Sequence, residues 1–139
     1  MNKQNRASLL IALAAGIGYG GWAVYANFEH TPREWIMAGI VQAIYAFIST
    51  LSVTHIAQKV CQKYDYGLKG ITLGFFASAV IMLVIPLTVH NVVGTPDIWE
   101  TILPGLIWGT IYLLSFLIAL DTKNRKVTAA PSHSKENKA

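Results

Sequence analysis

Four stretches of this chain contain no Asp, Glu, Lys or Arg: 7–28, 35–58, 70–96 and 101–120. An α-helix rises about 1.5 Å per residue, so each stretch is long enough to cross the ~30 Å hydrocarbon core of a bilayer. Hydrocarbon offers no partner to a backbone amide or carbonyl, and a segment crossing it must pair those groups internally, as a helix does. The pattern predicts an all-α integral membrane protein with transmembrane helices at about 7–26, 32–57, 69–89 and 97–120. The composition agrees: 53% of the residues are apolar and only 13% charged, far from a soluble domain of this length.

The charges lie between the apolar stretches, and the positive ones are unevenly placed. All but one of the eleven Lys and Arg residues fall in 1–6, 59–69 and 121–139, and the exception is Arg33. By the positive-inside rule this puts both termini and the 59–69 loop in the cytoplasm of a bacterial inner (plasma) membrane. The net charge of +4 is then mainly a topology signal. The lipid bilayer is the expected partner, with nothing that points to nucleic acid. Residues 121–139, "DTKNRKVTAAPSHSKENKA", have no apolar period and are expected to form a disordered basic cytoplasmic tail. The opening "MNKQNR" followed by an apolar run also fits the front of a cleavable signal peptide. The run from Ala7 to Ala26 is long enough to span by itself and rich in glycine, so it is read as the first helix.

The two expected outer turns resemble each other. Shifted by 64 residues, Asn27, Thr31, Pro32 and Trp35 fall on Asn91, Thr95, Pro96 and Trp99, giving N-x-x-x-T-P-x-x-W twice. The simplest origin is a helical hairpin used in tandem. Thr31 suits an N-cap, Pro32 the first helical position and Glu34 the third, so T-P-R-E reads as a capping box. Thr95-Pro96-Asp97 repeats that start. Trp35 and Trp99 then lie one turn in, where an indole keeps its N–H near water.

Small residues recur four apart, and such faces let helix backbones approach closely in lipid. Gly16 and Gly20, Gly70 and Gly74, and Gly105 and Gly109 are the expected packing positions, within the chain or against a second copy of it. Gln42, Tyr45, Ser49 and Ser52 form a polar stripe on helix 2, and Trp108 and Tyr112 a second on helix 4. Together these stripes are candidates to line a cavity for an amphipathic molecule. Pro86 and Pro104 each remove an amide donor, leaving the carbonyls of Met82 and Glu100 without their helical partner.

The outer turns collect Glu29, His30, His90, Asn91 and Asp97, a candidate polar site for a divalent metal or a headgroup if the two turns meet. No HxxxH or HExxH spacing strengthens it. Cys61 is the only cysteine; it is expected in the cytoplasmic loop, without a CxxC partner, and no cofactor is expected. No charged residue lies at mid-membrane, where proton-coupled pumps place their relays. Residues 11–21, "IALAAGIGYGG", lack the glutamate that small multidrug-resistance transporters carry in their first helix. The expectation is a small non-enzymatic membrane component, engaged in transport or lipid handling or acting as an accessory subunit of a larger membrane protein. The alternative is a membrane enzyme or metal-binding protein that uses the outer His/carboxylate cluster.

Overall fold

A computed structural model describes residues 3–129. It consists of four α-helices: α1 Lys3–Ala26, α2 Pro32–Lys63, α3 Gly67–Val93 and α4 Ile98–Ala129. Each is long and apolar enough to cross a membrane. α2 and α4 overrun their uncharged windows at both ends, whereas α1 and α3 begin before theirs and stop two and three residues short of their ends. Helix bounds are set by backbone hydrogen bonding and capping and not by where the charges fall. The largest difference is at the end of α4. Residues 121–129, expected in the disordered tail, continue the helix, and 130–139 lie outside the described residues.

Neighbours in sequence are neighbours in space. α2 and α4 also pack across the diagonal, while α1 and α3 do not touch among the described residues. One end of the bundle carries the α1–α2 and α3–α4 turns and is called here the double-turn end; the other carries the α2–α3 turn. Close packing comes from glycine. A Cβ on Gly20 would lie 2.8 Å from Ala43 Cβ and 3.0 Å from the Gly39 carbonyl, and one on Gly16 3.1 Å from the Ala43 carbonyl. Across the α2–α3 seam, a Cβ on Gly70 or Gly74 would meet the Cys61 or Ala57 carbonyl at 2.8 and 2.9 Å. Any side chain at these points must push two backbones apart. Gly109 differs, since its neighbour is the flexible end of Met82, and Gly105 has only ordinary contacts at 3.6 Å or more.

Val53, Ala57, Cys61, Met82, Leu113 and Leu117 form the apolar core between α2, α3 and α4. Cys61 is therefore not in a loop: it is fully buried in the last turns of α2, beneath Gly70.

The α2–α3 turn is tight, with Asp65, Tyr66 and Gly67 all at positive φ (56°, 58° and 63°). Of these only glycine adopts that region without a steric cost. The turn is held from outside. Asp121 of α4, almost fully buried, accepts the Gly67 amide at 2.7 Å and the Arg125 Nε at 2.8 Å. A carboxylate at the start of α3 suits the helix dipole. The same contact ties α4 down past Leu120, which is the physical reason the helix does not end there.

Candidate functional site

Both proline-orphaned carbonyls have found donors on another helix, one near the double-turn end and one deeper in the bundle. Trp22 Nε1 of α1 donates to the Glu100 carbonyl at 2.7 Å, and the Tyr45 hydroxyl of α2 donates to the Met82 carbonyl at 3.0 Å. In an apolar interior an unpaired carbonyl is costly, so each bond joins two helices where a proline has opened one.

Beyond the Trp22 bond, where α1 ends, sits a polar lock built on Asn27, which is 0% exposed. Its Nδ2 donates to the Ala23 carbonyl at 2.8 Å and to Thr101 Oγ1 at 2.7 Å, while its Oδ1 accepts the Asp97 amide at 3.0 Å. Thr101 in turn donates to the Asp97 carbonyl at 2.6 Å. These groups close on one another and fasten the end of α1 to the start of α4. Above them His30 Nε2 meets Asp97 Oδ2 at 2.7 Å, an exposed pair with side chains 38% and 40% accessible.

The two copies of the repeated motif are used differently. In the first, Glu34 accepts both the amide (2.9 Å) and the hydroxyl (2.7 Å) of Thr31, in front of α2. In the second, Thr95 does not cap. Asp97 immediately precedes α4, and its carbonyl accepts the Thr101 amide at 3.0 Å, the first bond of the helix. Thr95 is buried instead, its hydroxyl 2.8 Å from His90 Nδ1. Asn27 is interior, whereas Asn91 is exposed and bonds only back to the Leu87 carbonyl.

The outer candidates consequently divide. Glu29 and Asn91 are exposed, and His30 pairs with Asp97. His90 is not in a wet turn: α3 runs on to Val93, and the imidazole is 0% exposed. Its second nitrogen, Nε2, lies 2.9 Å from Gln42 Oε1. An amide oxygen only accepts, so Nε2 carries the proton and Nδ1 accepts from Thr95. The two histidines thus serve separate partners. No three His, Cys, Asp or Glu side chains converge on a point among the described residues.

Below the lock, α1 and α4 border a cavity of about 280 Å³. Its back wall is α2, where Gln42, Ala46 and Val53 are buried. Its rims are Ile11 of α1 with Trp108 and Tyr112 of α4, all largely exposed, so the mouth opens sideways between α1 and α4. Five members of the two polar stripes border it: Gln42, Tyr45, Ser49, Trp108 and Tyr112. Ser52 does not. Tyr45 and Ser49 use their hydroxyls within the protein, Ser49 on the Ala46 carbonyl of its own helix at 3.2 Å. The lining includes no Asp, Glu, Lys, Arg or His side chain. Such a chamber suits an uncharged, largely apolar occupant with one or two polar atoms.

Periodicity and residue type had pointed to the stripes. Asn27, Thr101, Tyr19 and Ala43 were missed, because their importance lies in what stands opposite them. No family model, curated protein or solved structure matches the chain.

Proposed function

We propose that this chain is a multi-pass protein of a bacterial-type inner membrane, built from two tandem hairpins with both termini in the cytoplasm. In this reading it is a non-enzymatic lipid-handling or transport component that admits an amphipathic molecule from the bilayer through the gap between α1 and α4. The observation that carries the reading is the cavity itself: it opens sideways, at a depth where four apolar helices would be surrounded by acyl chains. An occupant can enter from the lipid without crossing water. The polar lock above the cavity closes the same gap toward the double-turn end. Association with a second copy or a larger membrane protein is compatible with this role.

Ala15 lines the cavity from α1, and Ala15→Phe would fill it without touching the lock. Extraction in a mild detergent followed by native mass spectrometry should find a retained lipid-sized molecule on the wild type. Ala15→Phe should lose it while keeping the same helical content. Equal retention by both proteins, or none on the wild type, would remove the basis for this function.

A further inference from the structure

Gln42 is 1% exposed, and its amide is used on one side only. Oε1 is held by His90, so Nε2 must point the other way, and it has no hydrogen-bond partner among the described residues. What stands in front of it is Gly105: a Cβ there would lie 3.6 Å from Nε2 and 4.0 Å from the Tyr19 ring. All three residues line the cavity. The absence of a side chain at position 105 therefore leaves a donor uncovered at the wall of an apolar chamber. Nε2 is open to the chamber and not sealed in; Ser78 Oγ is the one fully enclosed unpartnered side-chain polar atom among the described residues. A donor facing an apolar space is costly to leave unpaired, and here a ligand atom is the natural partner.

We infer that the cavity binds an uncharged lipid through a carbonyl oxygen that accepts from Gln42 Nε2, with its apolar chain lying past Ala46 and Val53 toward the inner half of the bundle. This rests on the lateral-entry reading of the cavity and adds the head chemistry. The partner atom must accept, because Nε2 only donates, and a carbonyl oxygen is the strong acceptor that an uncharged lipid head carries. The head is uncharged because the lining holds no cation to pair with a carboxylate or phosphate, and a lone charge is not brought into such a site. Depth agrees: Gln42 lies roughly 15 Å along α2 from Pro32, well below where a phosphate would sit in water. Two sources share this chemistry, an acylglycerol ester and a quinone with a long side chain. The Tyr19 ring beside Gly105 gives either head a flat wall, and Trp108 and Tyr112 stand at the mouth.

The test uses the full chain in phosphatidylcholine nanodiscs, titrated with dioleoylglycerol or decylubiquinone, each labelled with ¹³C at its carbonyls. Binding is read by mass spectrometry and hydrogen bonding by the isotope-edited infrared carbonyl band. At least one probe should bind, with its carbonyl band moved to lower frequency, and which one does so identifies the source. Gly105→Ala meets only ordinary contacts, so its fold should be unchanged by circular dichroism. Its methyl group covers Nε2, and affinity should fall about tenfold with the band shift lost. Gly105→Val should abolish both. Binding of a neutral probe with no band shift, or with no effect of Gly105→Ala, would overturn the carbonyl assignment and leave the cavity reading standing. Tighter binding of oleate or phosphatidylglycerol than of either neutral probe would overturn the uncharged head in the same way. Failure of every lipid to bind would overturn the cavity reading as well.

Discussion

Trp22 donates its indole N–H to the carbonyl of Glu100 at 2.7 Å, the group that Pro104 leaves without a helical donor. Tyr45 does the same for Met82, orphaned by Pro86. Two prolines that would weaken α3 and α4 in isolation thus become the points where other helices attach. Trp22→Phe and Tyr45→Phe should each lower stability by about 1 kcal/mol, the scale of one hydrogen bond whose acceptor stays behind. Pro104→Ala returns an amide to the Glu100 carbonyl, so Trp22→Phe should cost less in that background. Thermal unfolding of the four proteins in one detergent gives the coupling. Strict additivity would show that the indole is not serving that carbonyl.

The glycines should rank by what faces them. Gly20→Ala drives a methyl group into Ala43 and the Gly39 carbonyl, and should cost about 1–3 kcal/mol. Gly109→Ala meets only the mobile end of Met82 and should cost less. Gly20→Ile should block folding altogether. A Gly20→Ile protein that accumulates and melts like the wild type would show that α1 and α2 do not pack along this seam.

Asn27 and Asn91 occupy the same place in the repeated motif and should respond very differently. Asn27→Ala strands the Asp97 amide inside the bundle and removes a partner of Thr101, at about 1–3 kcal/mol. Asn91→Ala removes one exposed bond to its own helix and should be close to neutral. Denaturation in mixed micelles compares the two directly. Equal losses would contradict the lock between α1 and α4.

Topology has its own test. With the Lys and Arg residues concentrated at 1–6, 59–69 and beyond 120, a reporter fused after Ala129 should be cytoplasmic and one inserted at Gly94 should face outside. Both reporters on one side would contradict a crossing by α4 between them.

Much of the architecture follows from local rules. Four uncharged windows imply helices because hydrocarbon leaves the backbone no other partner, whatever the fold around them. Thr31 and Glu34 mark the start of α2 because a capping box is completed within four residues. The orphaned carbonyls of Met82 and Glu100 could likewise be named from the prolines four residues later. The donors could not: Trp22 is 78 residues from Glu100, and nothing in either neighbourhood refers to the other. The same applies to Asn27, which local pattern made the twin of Asn91 and which the packing of α1 on α4 made the centre of the lock. His90 looked like a wet turn residue because the apolar run fades there, yet α3 continues and turns it inward onto Gln42. Spacing marked Gly105 as a small residue, but only the packing of α4 on α2 sets it opposite the Gln42 amide. Local sequence sets which groups need a partner, since that depends on bonded neighbours. Only the tertiary structure decides which partner each one meets, because that depends on how four helices of similar composition settle against one another.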